Sequence, residues 1–141
     1  MFTSSTALRA ASNTAASART HGLRLTHQRS APSTVVVSVH GDIDATNADD
    51  LTAYVHSAIG TDRELILDLR RVEFIGTAGL SALEAMNPAT DRSWRMVVVP
   101  SRVVTRLLGL CPSAVPILLV DGLDAALAVA RGDRPVLDLT T

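Results

Sequence analysis

The stretch Glu64-Leu65-Ile66-Leu67-Asp68-Leu69-Arg70-Arg71-Val72-Glu73-Phe74-Ile75-Gly76-Thr77-Ala78-Gly79-Leu80 confines the fold more tightly than any other segment. Leu65 to Leu69 is a short apolar run and reads as a buried strand. Arg70-Arg71 reads as a polar turn, after which Val72, Phe74 and Ile75 return the chain to the core. Gly76-Thr77-Ala78-Gly79 follows, and then Leu80, Leu83 and Met86 recur at helical spacing. A strand therefore leads through a loop into a helix, with the hydroxyl of Thr77 at the helix start. Backbone N–H groups in the first turn of a helix lack intrahelical partners and carry the positive end of the dipole. Two readings of Thr77 stay open on spacing alone. Its hydroxyl caps the helix, or it marks a place where the same N–H groups hold a phosphate. The flanking glycines leave room for a partner to approach closely.

The rest of the chain alternates strands and helices around that stretch. Thr34 to His40 is rich in β-branched residues and reads as a strand ending in the tight acidic loop Gly41-Asp42-Ile43-Asp44. Leu23 to His27 alternates and reads as an edge strand. Thr46 reads as the cap of a helix with Leu51, Tyr54, Val55 and Ala58 on one face, closed by Gly60. Asn87-Pro88 ends the helix that begins near Thr77. A strand over residues 93–99 leads to a helix capped by Ser101, whose apolar face is Val104, Leu107, Leu108 and Cys111. Ile117 to Val120 is a last strand, and Asp121 caps a final helix that Gly132 stops. The order β-β-α-β-α-β-α-β-α implies a single α/β domain over residues 21–132. Its sheet is mixed and mostly parallel, with about five strands and about four helices. Residues 1–20 are acid-poor and nearly without apolar pattern, and are expected to form a disordered arm. Residues 133–141 are expected to be a tail.

Composition excludes several functions. All 13 basic residues are arginine, so there is no Schiff-base lysine and no P-loop lysine. Net charge is −1, which gives no general attraction to nucleic acid. No apolar run is long enough for a membrane span, and direct membrane insertion is not expected. A cytoplasmic location is expected, because the one cysteine cannot form an internal disulfide. Aromatic residues are only 3% of the chain, so the core must be built of Leu, Val, Ile and Ala.

Asp42, Asp44 and Thr77 all follow strands, and in an α/β sheet such loops gather at the carboxyl ends of the strands. The set is compatible with a metal or phosphoacceptor site, and equally with a solvated acidic turn. The four histidines show no ligand spacing. Cys111 reads as a buried inert thiol, or as a redox site if it is exposed beside Arg102 and Arg106. No catalytic set, metal ligand set or cofactor loop is recognisable. The absence of lysine also removes a response-regulator reading.

Three segments together carry a resemblance: Gly41-Asp42-Ile43-Asp44, then Leu65 to Leu69, then Val72 to Leu80. In that order and separation they resemble the STAS domain of bacterial anti-sigma factor antagonists, over about His21 to Arg131. The resemblance implies a domain without enzymatic activity and without a cofactor. Its expected partner is an anti-sigma factor, a serine/threonine kinase of the GHKL ATPase type, and binding releases a sigma factor. The family pattern Asp-Ser-Ser-Gly is matched here by Gly76, Thr77, Ala78 and Gly79. The resemblance therefore places the phosphoacceptor at Thr77 and partner contacts at Asp42, Asp44, Gly76, Thr77, Ala78 and Gly79. Gly76 stands where the family has an aspartate, and Thr77 where it has serine. Two other readings remain open: a STAS subunit of a membrane lipid-transport ABC complex, and a small-molecule or redox sensor using the same surface or Cys111.

Overall fold

The computed structural model describes residues 16–60, 62–86, 94–110 and 117–130. The chain runs β1 (Ala16–Thr20), β2 (Leu23–Ala31), β3 (Thr34–Ile43), α1 (Ala48–Ile59), β4 (Glu64–Ile75), α2 (Thr77–Met86), β5 (Arg95–Val99), α3 (Arg102–Leu110), β6 (Leu118–Leu119) and α4 (Leu123–Ala130). The strands form one sheet in chain order. β1, β2 and β3 pair antiparallel, whereas β3 to β6 pair parallel. The α/β class and the mixed sheet with four helices agree with the sequence reading, and the sheet has six strands where about five were expected.

The additional strand is β1, in a segment read as part of the arm. Thr20 pairs with Leu23, so His21 and Gly22 are the two-residue loop of a hairpin. Both lie at positive φ, as a type I′ turn requires. β2 is accordingly an inner strand, not an edge. Residues 1–15, Asn87-Pro88, Cys111, Gly132 and the 133–141 tail lie outside the described residues.

Two layers of side chains hold the sheet. On one face, Leu25, Val37, Leu65, Leu67 and Val98 pack with Leu51 and Val55 of α1, Leu83 of α2 and Val104 of α3. On the other face, Ile66, Val97 and Val99 pack with Ala126 and Val129 of α4. Leu65 to Leu69 is thus buried on both sides, which explains its unbroken apolar sequence. Full burial of each of these leucines stabilises the fold by about 1.5–3 kcal/mol. No described helix is long and apolar enough to cross a membrane.

Arg70-Arg71 is not a turn. β4 continues through it to Ile75 and absorbs the charges by bulging. Opposite Ser38 to His40, β4 spends one additional residue between Asp68 and Arg71, and opposite Gly41 to Asp42 another between Val72 and Phe74. These two bulges set Leu69, Val72 and Ile75 all toward the core, three residues apart. They turn Arg70, Arg71, Glu73 and Phe74 outward. Phe74, expected in the core, is 52% exposed.

The carboxylate of Asp68 secures the first bulge. Its Oδ1 accepts from the Arg70 backbone N–H at 3.1 Å and from Arg70 Nε at 2.9 Å, while Oδ2 accepts from Arg70 Nη2 at 2.9 Å. Burial pushes the Asp68 carboxyl up, but these bonds and the nearby charge of Arg70 outweigh burial and hold it below the ordinary carboxylate value.

The loop from β3 to α1 also differs from the sequence reading. Asn47, not Thr46, flanks the helix, and its side chain does not cap it. Asn47 is fully buried. Its Nδ2 donates to the carbonyls of His21 at 3.0 Å and Asp42 at 2.9 Å, and its Oδ1 accepts from the Asp44 N–H at 3.0 Å. One amide thus ties the β1–β2 turn to the end of β3. Gly60 closes α1 at positive φ and Ser101 Oγ accepts from the Val104 N–H, both in line with the sequence. Ala126 N–H bonds the carbonyl of Gly122, so Gly122 rather than Asp121 adjoins α4.

Two measurements check these assignments. Asn47→Ala removes the partner of three part-buried backbone groups and is expected to lower stability by about 1–3 kcal/mol in urea denaturation. Arg70→Gln is expected to cost about 1–3 kcal/mol at pH 7, the low side because the arginine is half exposed. A carboxyl whose folded pKa is depressed contributes stability above its unfolded pKa and loses it as pH falls through the folded value. The gap between parent and Arg70→Gln is therefore expected to narrow below about pH 4, where the unpaired Asp68 is neutralised. A gap that is unchanged or wider at low pH would show that Asp68 is not held ionised by Arg70.

Candidate functional site

The carboxyl ends of β3 and β4 form one corner of the molecule. The strands pair as Asp42 with Phe74 and Ile43 with Ile75. Gly76 then extends the contact, its N–H donating to the carbonyl of Ile43 at 3.0 Å. The Gly76 carbonyl accepts from the N–H groups of Gly79 at 2.9 Å and Leu80 at 3.2 Å, so Gly76 is the residue from which α2 springs. Thr77 is the first residue within the helix rather than its cap, and it is exposed. Its hydroxyl makes no hydrogen bond to another described residue. The first turn of α2 contains no acid, so the positive end of its dipole is not offset there by a carboxylate on the helix.

Gly79 shows how tightly this helix start is seated. A Cβ built on it would come within 2.5 Å of Ile75 Cγ1 and 2.9 Å of Ile43 Cγ2. The absence of a side chain lets α2 lie directly on the ends of both strands, and that contact fixes where Thr77 stands. Ala78 packs part-buried against the same core. Of the four residues read as the site motif, Gly76 and Gly79 therefore shape the backbone, Ala78 anchors it, and Thr77 alone displays a polar side chain outward.

The two aspartates separate. Asp44 is engaged within its own loop, where Oδ1 accepts from the Thr46 N–H at 2.9 Å and from the Thr46 hydroxyl. Those bonds, the hydroxyl first, keep its carboxyl below the ordinary value. Asp42, by contrast, lies in the strand and is exposed. Beneath it Gly41 sits at φ 124°, where an added Cβ would approach the Gly22 carbonyl oxygen to 2.4 Å. Only glycine lets the β1–β2 turn close over this end of β3.

The sequence reading missed Phe74. Its ring lies beside Gly76, with Cε2 3.6 Å and Cζ 3.7 Å from where a Gly76 Cβ would be. Asp42, Phe74 and Thr77 are thus the exposed side chains of one corner, an anion, an aromatic ring and an alcohol. Among the described residues no three His, Cys, Asp or Glu side chains gather as metal ligands.

Comparison with known proteins identifies the fold. The family model described as the STAS domain matches residues 26–111, more than half of the chain. Among solved structures, an anti-sigma factor antagonist from Mycobacterium paratuberculosis is 27% identical, with a TM-score of 0.69 over 77% of this chain and 94% of the other. The anti-sigma factor antagonist SpoIIAA in its unphosphorylated form shares the fold, at 19% identity and a TM-score of 0.59 over 77% of this chain and 98% of the other. No curated protein sequence gives a significant match. The match of the family model over residues 26–111 shows that this chain belongs to the STAS domain family.

Proposed function

We propose that this protein is an anti-sigma factor antagonist, a binding protein without catalysis. In this reading it docks on an anti-sigma factor of the GHKL kinase type and so releases a sigma factor. The observation that carries the reading is the corner just described: exposed Phe74 and Asp42 beside the outward hydroxyl of Thr77 at the start of α2. The 27% identical antagonist from Mycobacterium paratuberculosis, which is similar over most of both chains, supports it.

Thr77 is in this proposal the phosphoacceptor. Its oxygen is exposed, as a kinase requires, and a phosphate there would meet the open N-terminus of α2. Gly76, in place of the family's aspartate, leaves Thr77 without the adjacent acid that would orient its hydroxyl or aid kinase recognition. A phosphate adds about 1.5–2 negative charges in the middle of the contact. A partner that fits the bare alcohol then meets repulsion and desolvation cost. A coupling of about 1–3 kcal/mol, or about 5- to 150-fold in affinity, suffices to pass a partner between two competitors. The fold itself need not change, because the helix start accommodates the charge.

The test is affinity capture with the purified GHKL-type anti-sigma factors of the same organism, followed by calorimetry. Phe74→Ala is expected to weaken the complex by about 1–2 kcal/mol or more without lowering stability, since its ring is half exposed. Thr77→Glu is expected to weaken it by a similar amount, and incubation with the kinase and ATP to place phosphate on Thr77. Equal binding by parent and Thr77→Glu would remove the switch and leave the docking role. Capture of an ABC-type ATPase instead of an anti-sigma factor would overturn the proposal. Gly76→Asp meets no steric obstacle, restores the family's acid, and is expected to raise thermal stability slightly, by about 0.5 kcal/mol, while speeding phosphorylation of Thr77.

A further inference from the structure

A row of basic side chains crosses four neighbouring strands. Arg19 on β1 lies opposite Arg24 on β2, Arg24 opposite His40 on β3, and His40 opposite Arg71 on β4. Direct cross-strand neighbours share a face. This is the face away from α1 and α2; among the described residues α4 covers it at β4, β5 and Val36 of β3, leaving β2 and the rest of β3 open beside it. Three inter-strand steps of about 4.8 Å make the row roughly 14 Å long.

The row has no structural account. Like charges directly opposite one another destabilise a sheet. Among the described residues no carboxylate forms an ion pair with Arg19, Arg24 or Arg71. Among the described residues Asp68 is the only acid lining the adjoining groove; Arg70 hydrogen-bonds both of its oxygens, and its charge also acts on Arg71 without an ion pair. The groove has a volume of about 460 Å³, within the range of small-molecule sites. A second cavity of about 410 Å³, lined by Arg19, continues it past the shared residues Arg24 and His40.

The groove is graded along its length. Arg24, His40 and Arg71 form one end. The next row along the strands carries the hydroxyls of Thr26 and Ser38, which are cross-strand partners. Val36, one row further, and Leu123 of α4 supply apolar wall.

We propose that this groove binds an organic phosphate. The phosphate lies against Arg24, His40 and Arg71, the hydroxyls of Thr26 and Ser38 complete its hydrogen bonding, and the apolar part of the ligand rests against Val36 and Leu123. Arginine is the side chain best matched to phosphate, through paired N–H donors. Bound phosphate also meets the charge of Arg24, which forms no ion pair among the described residues. The site is separate from the Thr77 corner and does not depend on the proposed switch.

The test uses the isotope-labelled full chain in nuclear magnetic resonance titrations at constant ionic strength, with phenyl phosphate and inorganic phosphate as probes. Saturable shifts are expected at amides of residues 24–28, 36–40 and 68–71, with phenyl phosphate binding more tightly. Arg24→Ser and Arg71→Ser are each expected to weaken binding about tenfold or more. Arg24→Ser is expected to melt no lower than the parent, because it removes the like-charge contact with Arg19. Arg24 lies on exposed β2 away from the bulge, so its variant reads out binding even if Arg71→Ser disturbs β4. Thr77→Val serves as the variant expected to bind phenyl phosphate like the parent. Absence of saturation at millimolar probe, shifts confined to other residues, or parent-like binding by Arg24→Ser overturns the proposal. So does a groove that takes polyglutamate but not phenyl phosphate, which would assign it to an acidic protein.

Discussion

The molecule depends on the pairing of β3 with a β4 that is two residues too long for it. A regular strand alternates faces with period two. Continued from Leu69 in that way, β4 would send Arg71 into the core, and an unpaired buried charge costs several kcal/mol. One additional residue after Asp68 reverses the phase and turns Arg71 out. A second after Val72 reverses it again, so that Ile75 rather than Phe74 meets the core. The Asp68 carboxylate holds the first bulge by accepting both backbone and side-chain hydrogens of Arg70. Every surface feature of interest on this strand follows from those two phase changes.

The corner at Thr77 is built on the end of that corrected strand, and it is fixed by what is absent as much as by what is present. Gly41 permits the β1–β2 turn to close over β3, and Gly79 permits α2 to sit on Ile43 and Ile75. Asn47 then bridges the turn and the strand end through three backbone groups. The result is a closely packed frame from which Asp42, Phe74 and Thr77 project. A docking surface needs such a frame, because ordering loose side chains at an interface costs about 0.5–1.5 kcal/mol each.

Much of this was legible in the residues. The β-branched run from Thr34 and the apolar run from Leu65 identified the central strands, and the spacing of Leu80, Leu83 and Met86 located α2. What escaped the reading shares one cause, that the deciding contact is remote in sequence. β1 is visible only through its pairing with β2, since Ala16 to Thr20 has no apolar alternation of its own. Arg70-Arg71 looks like a turn because two adjacent charges rarely continue a buried strand, and only the pairing with Ser38 and His40 shows the bulge. Phe74 was assigned to the core from its hydrophobicity, yet its orientation is set by the phase change two residues earlier. Asn47 looked like one member of a polar helix start, whereas its importance comes from His21, 26 residues away. The helix-start hydroxyl at Thr77 was legible, and its exposure beside an aromatic ring was not.

The two surfaces make different demands on the chain. The Thr77 corner requires close backbone contacts, and any side chain at Gly41 or Gly79 would displace it. The basic row requires only strand register and alternation, which the apolar positions of β2 and β3 already enforce. Arg71 and Phe74 nevertheless lie three residues apart on one strand, so the surfaces share a support. Coupling between them would need that support to have two arrangements. Leu69, Val72 and Ile75 of that strand are at most 7% exposed, and close packing resists gradual deformation. β4 therefore acts as a common wall rather than a lever, and a ligand in the groove has no path by which to reset the corner unless it also undoes the bond between Asp68 and Arg70.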